Sequence, residues 1–197
     1  DYYVKYAVES EKNKDLEKES QDMLMLWEQK DNEVISLWKK MNTWAIDGIK
    51  ETYKKMKIDF DYYQFESNTY IYGKDIINKG LENGVFYKEA DNSIWVNNED
   101  VGLDKKILLR NDGTSIYITQ DIGTAVKRNE EFGFDRMIYV VGSEQIYHFQ
   151  TLFTILKKLG YKWAENCYHL SYGMVNLPEG KMKSREGKVI DADNLMD

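Results

Sequence analysis

The chain has 197 residues, 42% of them hydrophobic, with 27 Lys and Arg against 34 Asp and Glu and a formal net charge of −7. A pI of about 5.0 argues against a broad basic footprint for nucleic acid; charge acts by patch, however, and Lys157-Lys158 and the stretch from Lys181 to Lys188 are local basic patches. A mean hydropathy of −0.65 with only short apolar runs, such as Met137–Val141, excludes a membrane-spanning helix, and a single cysteine, Cys167, excludes an internal disulfide.

The length suits one well-packed domain with a smaller appendage. With only two histidines beside it, Cys167 would make a poor zinc site, so no metal site is expected and a reduced, cytoplasmic compartment is. The start, Asp1-Tyr2-Tyr3-Val4-Lys5, has no Met, basic start or apolar stretch and is not read as a signal peptide. The end, Asn194-Leu195-Met196-Asp197, stops in what reads as a young helix, so both ends are expected to be cut from a longer protein.

Residues 11–57 are rich in Glu, Lys, Leu and Met and lack Pro, which predicts helix. Leu16, Met23, Leu26 and Trp27 fit one stripe; Val34, Leu37, Trp38, Met41, Ala45, Ile49 and Tyr53 fit a second. A turn at Gln29–Asn32, with Asp31 or Asn32 as N-cap, makes these an antiparallel pair expected to pack as core. Residues 58–66 alternate and are aromatic-rich, which predicts a strand. A helix is expected at about 73–83, then a hairpin of Val85–Ala90 and Ser93–Val96 around Asp91-Asn92. A second hairpin-like turn joins Lys106–Arg110 to Ser115–Ile118 through Asn111-Asp112-Gly113. Helix over 119–132, strand over 136–141, amphipathic helix over 144–159 and strand over 167–173 follow. That alternation predicts an α/β layer with parallel strands.

Three constellations could carry chemistry. Val140-Val141-Gly142-Ser143-Glu144-Gln145 is a strand, a glycine and a polar helix start, and ligands of open α/β sheets bind beyond the carboxyl ends of strands. By itself it reads more readily as an ordinary strand–helix turn capped by Ser143. Tyr117-Ile118-Thr119-Gln120-Asp121 lies where a strand hands over to a helix; Asp121 could bind a cationic group, or simply complement the helix dipole behind a Thr119 cap. Lys181-Met182-Lys183-Ser184-Arg185-Glu186-Gly187-Lys188 could neutralise transferring phosphates, or be a solvated charge run. His148 lies one turn into a helix, free to face a pocket or cap the core; His169 reads as structural.

Taken in order, these segments resemble the class I arginyl-tRNA synthetase family. The resemblance rests on the run from Arg110-Asn111-Asp112-Gly113-Thr114-Ser115 through Tyr117 to Asp121-Ile122, then Ile138–Gln145 with His148-Phe149. It continues in Tyr172-Gly173-Met174-Val175, the lysine segment and Val189-Ile190-Asp191, and upstream in Leu37–Lys40, Ile49–Tyr53 and the stretch from Phe60-Asp61 to Glu66-Ser67. It implies a Rossmann-like parallel sheet of a class I catalytic domain, incomplete here, with a helical N-terminal part over 1–57. A strand and small α/β insertion would occupy 58–106, and the nucleotide-binding part 107–197. It implies arginine-binding roles for Glu66, Tyr117, Asp121 and Gln145, since a bidentate carboxylate–guanidinium pair selects arginine over lysine. Gly142, Glu144 and His148 would lie near the ATP ribose, and Met174 and Val175 would offer backbone to adenine. Lys181, Met182, Lys183, Ser184 and Arg185 would close over the phosphates. Implied partners are arginine, ATP with Mg2+, and tRNA; no permanently bound cofactor and no membrane are expected.

Two departures stand out. The class signature loop has lysines first and fourth; here Lys181 is first, Ser184 fourth and Lys183 third. The class also has a His-x-Gly-His element, which this sequence lacks, so the isolated piece is expected to be inactive. The alternatives are another class I-like nucleotidyl transferase, or a synthetase-derived binding module using 11–57 as a partner surface, which would leave the Trp and Met stripes exposed.

Overall fold

The computed structural model describes residues 2–69, 71–178, 180–182 and 189–196. They fall into two compact units, one of residues 1–61 with 175–197 and one of residues 62–174.

The first unit is helical. Helices α1 (Tyr2–Lys12), α2 (Asp15–Glu28) and α3 (Asn32–Lys55) follow one another, and α1 stands largely outside the predicted helical stretch. The predicted turn between α2 and α3 forms, with Lys30 left-handed at φ 62°. Asp31 is the N-cap: its carboxylate accepts from the Glu33 and Val34 amides at 3.0 Å each, meeting two otherwise orphan donors of the first turn. Beside this turn Trp27 meets Trp38 edge-on at 5.6 Å. The expected helical core does not form, and no residue of α3 is buried. Met41, Trp44 and Ile49 are 54%, 60% and 51% exposed. The stripe of α2 is exposed as well, with Met23 and Leu26 at 44% and 40%, so the two apolar faces do not enclose one another. A short ribbon of β6 (Asn176–Leu177) and β7 (Gly180–Lys181) and helix α8 (Ala192–Met196) complete this unit, with Asp193 of α8 bonded to Thr52 and Lys55 of α3.

The second unit holds the core. After a helical turn, α4 (Glu66–Thr69), come helix α5 (Tyr72–Glu82) and an antiparallel sheet of β1 (Tyr87–Lys88), β2 (Ile94–Val96) and β3 (Lys106–Leu109). Helix α6 (Tyr117–Phe132), β4 (Met137–Gly142), α7 (Ile146–Lys158) and β5 (Cys167–Tyr172) follow. Strands β4 and β5 pair in parallel from Met137–Cys167 to Gly142–Tyr172, with α7 as the crossover that a parallel pair requires. The mixed α/β fold expected from the helix–strand alternation is therefore present. Its core joins Ile77 of α5, Val96 and Leu108 of the small sheet, Ile118 and Ile122 of α6, and Leu152, Ile155 and Leu156 of α7.

Several sequence expectations are corrected. Residues 58–65 carry no ladder, and Glu66 opens a helix instead. Alternation marks two faces but does not supply a hydrogen-bonded neighbour, and here the aromatic residues pack onto helices. Phe60 meets Tyr53 edge-on at 5.1 Å, and Tyr62 meets Phe132 at 5.1 Å. The second hairpin has one arm only: Leu109 and Ser115 form a single bridge, and α6 begins at Tyr117. The intervening turn is held by its own polar groups, Asp112 accepting from the Thr114 amide and Arg110 donating to the Thr114 hydroxyl and the Ser115 carbonyl. Thr119 is therefore inside α6, two residues beyond its start, rather than its N-cap. Ser143 is not the N-cap of α7 either; a 3-10 turn, Ser143–Gln145, leads into that helix.

Helices α5 and α6 touch through glycine. A Cβ on Gly123 would lie 2.5 Å from the Gly73 amide nitrogen, and one on Gly73 would lie 2.1 Å from the Thr119 carbonyl oxygen. These are backbone atoms and cannot rotate away. Gly123→Ala is expected to lower unfolding free energy by about 1–3 kcal/mol. Gly48→Ala, in open space on α3, is expected to raise it by about 0.5–1 kcal/mol. Urea denaturation checks both; equal effects at the two positions would contradict the close contact.

Candidate functional site

Helix α6 has two faces with different tasks. Ile118, Thr119, Ile122, Ala125 and Val126 are buried. Tyr117, Asp121, Thr124 and Arg128, at spacings of four, three and four, share the opposite face and line a cavity of about 200 Å³. Gln64, Glu66, Thr69 and Gln120 complete its walls.

The segment bearing Glu66 is tied to this face by two hydrogen-bonded contacts. The Thr124 hydroxyl donates to the Thr69 hydroxyl at 2.8 Å, and Arg128 Nε donates to Gln64 Oε1 at 2.7 Å. Gln64 in turn donates through Nε2 to Glu131 at 3.3 Å, which fixes its amide orientation. The cavity wall thus carries two carboxylates and one guanidinium, and Arg128 is already engaged by Gln64. Arg128 also lies 5.9 Å from the Tyr139 ring, whose hydroxyl is pushed well above the usual phenol range by burial, with Arg128 acting in the opposite direction. An acidic recess of this size suits a compact cation with hydrogen-bond donors.

Asp121 has a further partner. Its Oδ2 lies 2.7 Å from His148 Nε2, and His148 is the third residue of α7. Gly142 is buried at the carboxyl end of β4, and a Cβ there would meet Met174 Sδ at 3.0 Å. Glu144 and Gln145 are exposed on the turn beyond it. His169 donates through Nε2 to the Val141 carbonyl at 2.8 Å, and its ring lies tilted against Phe149 at 4.4 Å, a structural role in the parallel pair.

Of the expected arginine-binding residues, the structure brings Glu66, Tyr117 and Asp121 to one cavity; Gln145 is not among its lining residues. His148, expected near the ribose, is in contact with Asp121. Met174 and Val175 are 48% and 63% exposed. Met182 is half-buried, and Lys181 ends β7. Lys183, Ser184 and Arg185 lie outside the described residues. Gln64, Thr69, Gln120, Thr124 and Arg128 were not anticipated from sequence. For Thr124 and Arg128 a signal existed, because they continue the helical spacing set by Tyr117 and Asp121; for Gln64 and Thr69 none did. Among the described residues no group of three or more His, Cys, Asp and Glu is placed to hold a metal, and no helix is long and apolar enough to cross a membrane.

The start of α6 is held by one buried hydroxyl. Thr119 Oγ1 donates to the Leu108 carbonyl and accepts from the Ile116 amide at 3.4 Å. Thr119→Val keeps the volume and orphans both groups, so a loss of about 1–3 kcal/mol in unfolding free energy is expected by urea denaturation. An unchanged stability would mean the hydroxyl is not what fixes this turn.

Comparison with known proteins bears on the family and the fold. The family described as tRNA synthetases class I (R), catalytic domain, matches residues 1–197. The arginine–tRNA ligase of Treponema denticola is 61% identical over 198 residues, covering 100% of this chain and 34% of that protein. That of Treponema pallidum subsp. pallidum is 52% identical, with 100% and 34% covered. The chain thus spans about a third of the length of these relatives. Among solved structures, arginyl-tRNA synthetase from Plasmodium falciparum matches with a TM-score of 0.69 at 19% identity, over 82% of this chain and 28% of that one. The Thermus thermophilus arginyl-tRNA synthetase matches with a TM-score of 0.60 at 15% identity, over 98% and 42%. At such identities these two structures speak for the fold alone.

Proposed function

The chain belongs to the family of class I tRNA synthetases (R), catalytic domain, and from that membership we propose that it is the arginine-recognising part of an arginine–tRNA ligase. The observation that carries this reading is the convergence of Glu66, Tyr117 and Asp121 on one cavity. Two carboxylates beside a cavity of about 200 Å³ suit a guanidinium, which offers five donors in a planar fork that a lysine ammonium lacks. Tyr117, 82% exposed at the first turn of α6, has its hydroxyl available to orient the rest of the amino acid, and Gln145 is assigned the same task by resemblance.

The reaction has two steps. The arginine carboxylate attacks the α-phosphate of ATP, forming arginyl-adenylate as pyrophosphate leaves. The arginyl carbonyl is then attacked by the terminal ribose hydroxyl of tRNA, and AMP leaves. Holding arginine by its side chain supplies positioning, which removes much of the entropic barrier of the first step. Gly142, at the carboxyl end of a parallel strand, is where a nucleotide meets such a sheet, and this supports an ATP side that includes Glu144 and Met174. Val175, Lys181, Met182, Lys183, Ser184 and Arg185 belong to the same proposal by sequence resemblance. Mg2+ would arrive with the ATP phosphates and neutralise charge as pyrophosphate leaves.

A second reading, a synthetase-derived binding module, has one observation in its favour, the exposed stripe of Met41, Trp44 and Ile49. The two readings separate on catalysis. In the full-length protein with tRNA present, arginine-dependent ATP–pyrophosphate exchange is expected. Asp121→Asn and Glu66→Gln should each raise KM for arginine roughly a hundredfold and leave KM for ATP nearly unchanged. Absence of exchange in the unmodified protein favours the binding module, and unchanged KM values in both variants would remove the pocket from the mechanism.

A further inference from the structure

His148 lies outside the residues that line the acidic cavity, yet it touches one of them. Its Nε2 is 2.7 Å from Asp121 Oδ2. A carboxylate only accepts hydrogen bonds, so Nε2 carries the proton and donates. The histidine itself is well held. Its ring meets Phe149 edge-on at 5.6 Å, Phe149 is buried, and the residues behind it on α7, Leu152, Ile155 and Leu156, are fully buried. The side chains of His148 and Asp121 are 23% and 46% exposed, so the histidine is the more enclosed of the two.

This matters because the terminal torsion of an aspartate is soft. The carboxylate plane of a half-exposed Asp swings freely unless one oxygen is fixed. A bidentate pair with guanidinium requires that plane to be set beforehand, within a narrow angular range. A hydrogen bond from the neighbouring helix supplies that fixation.

We propose that His148 is a positioning residue of the arginine pocket: it holds Asp121 Oδ2 so that the carboxylate is presented to the guanidinium of the substrate. The inference rests on the reading of the cavity as an arginine site and deepens it. It assigns His148 to the amino-acid side of the reaction, whereas resemblance alone put it beside the ATP ribose. The histidine does not touch the reacting atoms; it acts through Asp121.

Two variants of the full-length enzyme test this in arginine-dependent ATP–pyrophosphate exchange with tRNA present. His148→Phe keeps a ring against Phe149 and removes the donor. It is expected to raise KM for arginine about tenfold, the usual scale for a lost hydrogen bond to a charged group, with KM for ATP and kcat within about twofold of wild type. His148→Gln restores a donor and is expected to recover most of the arginine affinity. An unchanged KM for arginine in His148→Phe overturns the proposal. So does a rise in KM for ATP alone, which would return His148 to the nucleotide, and so does equal impairment of the Phe and Gln variants. A wild-type enzyme without arginine-dependent exchange overturns the functional reading itself, which is a distinct result from wild-type activity with an indifferent His148.

Discussion

Helix α6 can present a site on one face because its other face is locked. Ile118, Ile122, Ala125 and Val126 lie in the core, and Gly123 lets α5 come close enough for backbone to meet backbone. The Thr119 hydroxyl reaches the Leu108 carbonyl and ties the first turn of the helix to β3. Helical rotation is therefore not free: a shift of one residue would turn polar groups into the core and leave buried donors unpaired, at a cost of a few kcal/mol. The register that results puts Tyr117, Asp121, Thr124 and Arg128 on the cavity. Stability and site geometry are thus set by the same contacts.

The cavity is nonetheless a tertiary object. Its carboxylates come from α4 and α6, joined by Thr69–Thr124 and Gln64–Arg128 across 55 and 64 residues of sequence. Gln64 holds the Arg128 Nε–H and the partly buried Tyr139 ring lies 5.9 Å from its guanidinium, which fixes the side chain while its charge remains. Two carboxylates against one engaged guanidinium leave the recess net acidic. The third helix, α7, contributes through His148, and so α4, α6 and α7 each help to hold the cavity's carboxylates.

The parts that were legible in sequence are those governed by local rules. Asp31 as an N-cap, the hairpin around Asp91-Asn92 and the parallel pair flanking α7 follow from capping, turn chemistry and helix–strand alternation. The stretch 58–66 was misread because its alternating aromatics carry a strand-like pattern, while whether a strand forms depends on a hydrogen-bonded neighbour that the pattern does not encode. The stripe on α3 departs from expectation for a similar reason: periodicity marks an apolar face without showing that a partner covers it. In the site, Tyr117 and Asp121 stood in a recognisable run, and helical spacing extends them to Thr124 and Arg128. The contact of His148 with Asp121 spans 27 residues and two helices, and no spacing rule announces it.

The account depends on the recess responding to the charge and donor fork of its ligand, not to its shape. Calorimetric titration of the full-length protein with arginine and with citrulline, which has nearly the same shape but a neutral urea in place of the guanidinium, tests this directly. Arginine is expected to bind at least roughly a hundredfold more tightly than citrulline, because citrulline leaves Glu66 and Asp121 without a cation. Equal affinity for the two would contradict the assignment of those carboxylates to the guanidinium, and with it the functional account.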